Sequence, residues 1–234
     1  MKVLAIDTSG QVAAVAIMDE QLLIAEYTIH RDKTHSQMLM PMIEVVMKDS
    51  GLNSFDMDAF AVSNGPGSFT GLRIGVATIK ALAHATQKPV IAVPTLEALA
   101  FNMVGYSGFV CPIMDARRGQ AYNAVCHMHD ATYELIAPSR AVDIEQVIAE
   151  IKQHNQKTIF LGDGVPVFGD QIKQQLGELA SFAPPALCMQ RAASVAALAI
   201  MRFNNNQTLN YSALVPEYLR KSQAERELDL KNVK

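Results

Sequence analysis

The chain has 234 residues, 50% of them hydrophobic, and carries 20 basic against 23 acidic side chains for a net charge of −3. That length supports one large domain or two smaller ones with real cores. The charge lacks the basic surplus of a protein that grips a nucleic-acid backbone alone, no uncharged apolar run reaches the roughly 20 residues of a membrane-spanning helix, and Met1 to Asp7 is too short an apolar start for a signal peptide.

Val3 to Ile6 reads as a buried strand closed by Asp7-Thr8-Ser9-Gly10, followed by strands over Val12 to Met18 and Leu22 to Ile29, a three-strand meander. Thr34 to Ser50 reads as a helix that Gly51 stops. Ala59 to Ser63 is a further strand, and it enters Asn64-Gly65-Pro66-Gly67-Ser68-Phe69-Thr70-Gly71 and a small-residue helix running to about Ala85. Pro89 to Val93 is a strand and Leu96 to Asn102 is helical. The order then partly repeats. Val110 to Met114 is a strand ending in Asp115, Ala116-Arg117-Arg118-Gly119 turns the chain, and Gln120 to His127 returns. A helix over Ile144 to His154, a strand over Thr158 to Leu161 ending in Gly162-Asp163-Gly164, and a helix over Ala192 to Phe203 follow. Element order thus suggests a duplicated α/β architecture. The tail from Glu217 is charged and expected to be loose near its end.

Few features carry chemistry. Asp7-Thr8-Ser9-Gly10 lacks the second copy that an aspartic protease requires. It reads either as a phosphate-binding turn, offering hydroxyls and backbone N–H groups, or as a plain hydrogen-bonded turn. The Gly65, Gly67, Ser68 stretch has the glycines and the helix start of an anion site, but not the Gly-Lys-Ser/Thr ending of a P-loop, and Ser68 or Thr70 serves equally as a helix cap. Gly71, Gly75, Thr78, Ala81 and Ala85 share one helical strip, and each glycine costs about 1 kcal/mol of helix stability relative to alanine. Close packing against another element would compensate. Met38, Met40, Met42 and Met47, with Leu39, Ile43, Val45 and Val46, spread apolar surface beyond one helix face, as on a helix buried on two sides. His35, Met38, Leu39, Met42, Gly71, Arg73, Gly75 and Thr78 are therefore the expected partner surface. Of the six histidines only His127 and His129 are close, and alternation places both on one strand face, where they could share a metal. Only Asp130 stands nearby as a further donor, so a solvated strand end is the favoured reading and no metal is expected. Cys111, Cys126 and Cys188 form no ligand spacing and read as reduced, packed thiols. The basic pairs Arg117-Arg118 and Arg220-Lys221 read as solvated surface.

Taken together, Val3-Leu4-Ala5-Ile6-Asp7-Thr8-Ser9, His35-Ser36-Gln37 leading into Leu39-Met40-Pro41-Met42-Ile43, Asn64 to Gly75, Met114-Asp115-Ala116-Arg117-Arg118-Gly119 and Pro216-Glu217-Tyr218-Leu219-Arg220 resemble the TsaB/YeaZ family, in family order and over nearly the whole chain. The long Gly-Pro-Gly motif is the most specific part. The resemblance implies an actin-like ASKHA (ribonuclease H-like) fold of two lobes, each a mixed sheet with flanking helices. The expected lobes are residues 1–104 and 105–211, with 212–234 packing back on the first. It implies a cytoplasmic, non-catalytic subunit that forms homodimers, pairs with the homologous enzyme TsaD, contacts the ATPase TsaE, and reaches tRNA only through that complex. The complex transfers a threonylcarbamoyl group to N6 of the adenosine beside the anticodon. No cofactor is required, with at most weak ATP or ADP binding at the partner interface. TsaD holds its metal with two histidines one helical turn apart. The matching positions here are Thr95 and Leu99, neither of which replaces a histidine as ligand, and Glu97 between them stands unsupported. The competing reading is a small-molecule phosphotransferase of the ASKHA type using Asp7 and Asp115, with Gly162-Asp163-Gly164 as a thin adenosine signature. A metallopeptidase ranks third.

Overall fold

In a computed structural model the chain is described over residues 1–30 and 35–220. The first sheet opens with β1 (Lys2–Asp7), β2 (Val12–Asp19) and β3 (Leu23–His30), each antiparallel to the one before. Helix α1 (His35–Ser50) crosses to β4 (Ala59–Gly65), which lies parallel to β1. Helix α2 (Phe69–Thr86) leads to β5 (Val90–Pro94), parallel to β4, giving the order β3-β2-β1-β4-β5. Helix α3 (Thr95–Ala100) then leaves the sheet.

The second half repeats this plan: β6 (Gly108–Asp115), β7 (Gln120–His129), β8 (Thr132–Asp143), helix α4 (Ile144–His154), β9 (Thr158–Leu161), helix α5 (Val165–Leu176) and β10 (Ala180–Phe182). Its sheet order is β10-β9-β6-β7-β8, the first sheet's order strand for strand. The two-lobed α/β fold expected from the sequence is what forms. Among the elements that were not expected, three belong to the second sheet or its cover. Strand β8 carries Pro138, has no fully buried residue and shifts register against β7, all properties of an edge strand that weaken a period-two pattern. Helix α5 buries only Phe168, Ile172 and Leu176, and β10 is three residues long.

Alternation along the strands sorts side chains onto two faces. Leu4 and Ile6 face the α1 and α2 layer with Leu39, Met42, Ile43 and Ile79. Val3 and Ala5 face a layer shared by both sheets, which holds Leu96 and Leu99 of α3 and Val195 and Ala199 of α7 (Ala192–Asn204). Strands buried on both sides read as continuous apolar runs, which is why β1 and β4 were legible. Ala192, Ala196 and Ala199 let α7 lie close on β1 and β2. The far face of the second sheet is covered by α4 and α5 through Ile148, Ile151, Phe168 and Ile172. After the short helix α6 (Pro185–Cys188) and α7, the chain returns to the first half, where Leu209 bridges Val90 and Leu214 is fully buried.

Polar ties cross this layer. Glu97 of α3 accepts hydrogen bonds from the Tyr133 hydroxyl and, at 3.0 Å, from Arg202, so it joins α3, β8 and α7 and is well supported. Arg140 of β8 donates to the buried Asn123 Oδ1 at 3.1 and 3.2 Å and pairs with Glu150 of α4. Cys111 and Cys126 are buried and unpaired, and burial pushes the Cys126 thiol up to about 12, which keeps it neutral. Among the described residues, no helix is long and apolar enough to cross a membrane. The expectation of a loose tail falls largely on residues 221–234, outside the described residues, as does Thr34 at the expected start of α1.

Candidate functional site

A cleft of about 540 Å³ opens between the two sheets. One wall is the β1–β2 turn and the start of α2, through Ser9, Gly10, Gly67 and Ser68; the other is the β6–β7 turn, through Asp115 and Arg117, with Asp163 at the base. The structure therefore brings the two glycine-containing segments singled out in the sequence to one place, and sets them opposite the corresponding turn of the second half.

The first wall is held by its own hydrogen bonds. Asp7 is 1% exposed, and its Oδ1 accepts from the Ser9 amide at 2.8 Å and the Ser9 hydroxyl at 2.6 Å. Burial raises the Asp7 pKa, and the Ser9 hydrogen bonds oppose that rise. The buried Thr8 hydroxyl donates to the Gly71 carbonyl at 2.8 Å. The Ser68 amide donates to the Ser9 carbonyl at 2.7 Å, Ser68 Oγ caps α2 by accepting from the Gly71 amide, and the Gly65 amide donates to Thr95 Oγ1 at 3.1 Å. The Ser9, Gly65 and Ser68 amides are thus already committed inside the protein. Of the expected phosphate residues, Ser9, Gly10, Gly67 and Ser68 line the cleft, while Asp7, Thr8 and Gly65 stand behind them.

The glycines follow from this closeness. A Cβ on Gly67 or Gly71 would collide with the carbonyl oxygens of Ser9 and Thr8 respectively, and one on Gly75 would lie 2.5 Å from Thr8 Oγ1 and 3.2 Å from Val62 Cγ2. Part of the expected partner surface is turned inward. Gly71 and Gly75 face Thr8 of their own chain, and Leu39 and Met42 are 1% exposed in the first core. His35 bonds the Gly10 carbonyl at 2.9 Å, and the Thr78 hydroxyl donates to the Ile74 carbonyl at 2.9 Å. What α1 presents to solvent is Met40, 52% exposed, and Val45, 43% exposed, the latter on one ridge with half-buried Met38 and exposed Pro41.

The second wall is acidic. Asp163 Oδ1 accepts from the Asp115 amide at 3.2 Å, and its pKa is raised to about 6, first by burial and further by the charges of Asp115 and Asp7. In the sequence Asp163 stands out only as the centre of a Gly-Asp-Gly triplet. It lies two residues beyond the end of β9, just before α5.

A strap closes the cleft. The Glu217 amide donates to the Asn64 carbonyl at 2.7 Å; Tyr218 stacks on Phe69 at 4.1 Å and accepts from Arg73 Nε at 3.0 Å. Arg73 also lies 4.2 Å over the Phe69 ring, so its guanidinium is occupied within the chain. Arg220 donates to the Ala116 carbonyl at 2.6 Å. Arg220, read in sequence as solvated surface, thus ties the strap to the opposite lobe. Its neighbour Lys221 lies outside the described residues, and Arg117 and Arg118 are exposed.

Comparison with known proteins places this geometry. The family model described as "TsaD: tRNA N6-adenosine threonylcarbamoyltransferase" matches residues 23–228. The Bacillus subtilis tRNA threonylcarbamoyladenosine biosynthesis protein TsaB is 33% identical over 225 residues, 96% of either chain. The Escherichia coli protein of the same name is 35% identical over 124 residues, 52% of this chain and 53% of its own. Among solved structures, a Pseudomonas aeruginosa protein described as similar to peptidase YEAZ superposes with a TM-score of 0.79 at 25% identity, over 94% of this chain and 99% of that one.

Proposed function

The chain belongs to the TsaB family of tRNA threonylcarbamoyladenosine biosynthesis proteins, and from that premise we propose that it is a non-catalytic, activating subunit of the complex that transfers the threonylcarbamoyl group to tRNA. The end-to-end match to the Bacillus subtilis protein carries this reading. The two positions aligned with the metal-holding histidines of TsaD support it. Thr95 is fully buried with its hydroxyl accepting from the Gly65 amide, and Leu99 is 1% exposed in the shared core. Neither offers a donor to an ion. The partners proposed are a second copy, TsaD and TsaE, with tRNA held by the complex and the whole acting in the cytoplasm. The exposed ridge of Met38, Pro41 and Val45 on α1 supports a protein contact there.

Reconstitution tests the role. TsaD and TsaE supplied with tRNA, ATP and a threonylcarbamoyl donor should modify tRNA only when this chain is added, and the chain alone should modify none. Modification at full rate without it, or by it alone, overturns the proposal. Val45→Glu should weaken co-purification with TsaD at unchanged melting temperature; unchanged co-purification removes the α1 ridge from the interface.

One observation favours a second reading, a small-molecule phosphotransferase: Asp115 and Asp163 stand together at the cleft. Calorimetry with ATP and magnesium decides between the two. Tight binding with turnover supports the second reading, and weak or absent binding by the isolated chain supports the first.

A further inference from the structure

The far end of the second sheet holds a set of donors that belongs to neither the cleft nor the α1 ridge. His127 and His129 lie two residues apart on β7, and Glu134 of β8 stands directly across from His127 in the antiparallel register. One ligand atom from each of the three side chains lies within 4.8 Å of the others. The strands turn through Asp130 and Ala131, with Asp130 at φ 51°, so the set is fixed by a tight hairpin. The His127 ring is further held by Phe109, its cross-strand neighbour on β6, stacked at 4.7 Å and 24°. The two imidazoles meet edge to face at 4.0 Å.

We propose that His127, His129 and Glu134 form a binding site for a divalent transition-metal ion of the zinc class. Two imidazoles and a carboxylate are a ligand set that zinc takes readily, at bond lengths of about 2.0–2.2 Å. Tetrahedral bonds of that length place ligand atoms roughly 3.3–3.6 Å apart. The donors therefore need to close by no more than about 1.5 Å, and exposed side chains, as His129 and Glu134 are, make such a change by rotamer adjustment alone. Imidazole ligands favour zinc, cobalt, nickel and copper over magnesium and calcium. Three protein ligands leave a coordination position open to solvent or to a partner's side chain. Tyr122, at the other end of β7, lines the cleft seven residues before His129, roughly 23 Å away at the rise of a strand. The site is thus separate from the cleft, and the ion would clamp the β7–β8 hairpin.

The test uses the untagged full chain freed of metal. Titration with zinc should show saturable binding of roughly one ion per chain, and cobalt should give the visible absorption of a low-coordinate site. Magnesium and calcium should not bind. His129→Ala and Glu134→Gln should each weaken zinc binding at least about tenfold, whereas His30→Ala, on the first sheet, should leave it unchanged. Zinc should raise the melting temperature of the wild type and not of His129→Ala. All three substitutions are at surface positions, and circular dichroism checks that each variant folds. No saturable zinc binding by the wild type, or equal binding by both site variants, overturns the proposal.

Discussion

Gly75→Ala asks whether the small-residue strip of α2 serves its own chain or a partner. On a helix face open to solvent or waiting for another molecule, the change should stabilise the isolated protein by about 1 kcal/mol through helix propensity. Here the new methyl would lie 2.5 Å from Thr8 Oγ1, well inside van der Waals contact, with Val62 Cγ2 at 3.2 Å. Thr8 is fully buried, and its hydroxyl is engaged with the Gly71 carbonyl at 2.8 Å. Displacing the hydroxyl forfeits a hydrogen bond worth about 1 kcal/mol net and leaves the buried hydroxyl without its partner at a further cost of about 1–3 kcal/mol. Overpacking adds about 1–3 kcal/mol. Relaxation shares these costs, so a net loss of about 2 kcal/mol is expected after the propensity gain. Urea unfolding of the isolated chain measures it. Removing the hydroxyl with Thr8→Ala should recover part of the loss, so the double variant should be more stable than the sum of the singles by about 1 kcal/mol. A Gly75→Ala protein as stable as the wild type, or strictly additive effects with Thr8→Ala, would refute the reasoning and return the strip to a partner.

Asp163 gives a pH signature. Its folded-state pKa of about 6 exceeds the ordinary 3.8, so between these values the folded chain holds a proton that the unfolded chain has released. The stability linked to this group therefore falls as pH rises from about 4 to 6 and is level above, a change of at most about 3 kcal/mol. Asp163→Asn should gain about 1–3 kcal/mol on the wild type between pH 4 and pH 7 in urea titrations, and parallel profiles would contradict this. Arg140→Met strands the fully buried Asn123 Oδ1, and should cost about 2 kcal/mol in unfolding free energy; a loss below 0.5 kcal/mol would show that Asn123 finds another donor. Tyr218→Ala should release the strap, speeding hydrogen exchange at the Glu217 amide while changing global stability by less than about 1 kcal/mol.

The first sheet was legible because β1 and β4 are buried on both faces and their sequences are unbroken apolar runs between turns. The second was half legible. Its edge strand β8 mixes Thr132, Glu134, Pro138 and Arg140 with few buried contacts, so no pattern announces it. That single omission hid most of the polar arrangement of the second lobe. Tyr133, which bonds Glu97, Arg140, which satisfies Asn123, and Glu134, which faces His127, all lie on β8. Asp130, the donor considered beside the histidines, sits at the turn, whereas Glu134 is further in sequence and nearer in space, a relation only strand pairing reveals. That part of the expected partner surface turns inward was hidden for a related reason. Spacing identifies which residues share a helix face, but not whether that face meets its own sheet or solvent. Gly71 and Gly75 share a face, and that face is covered by Thr8.

The residues that made the family recognisable are, in large part, the ones that fasten the first lobe's two glycine loops together. Asp7 holds Ser9, Ser9 holds Ser68, Thr8 holds Gly71, and Gly67 and Gly71 leave room for those contacts. Together these interactions set the start of α2 against the end of β1. A motif committed to such contacts serves the geometry of the lobe. It therefore identifies the fold and the family more directly than it identifies chemistry. The positions that bear on the proposed non-catalytic role lie elsewhere, at Thr95 and Leu99, whose side chains are engaged in internal packing.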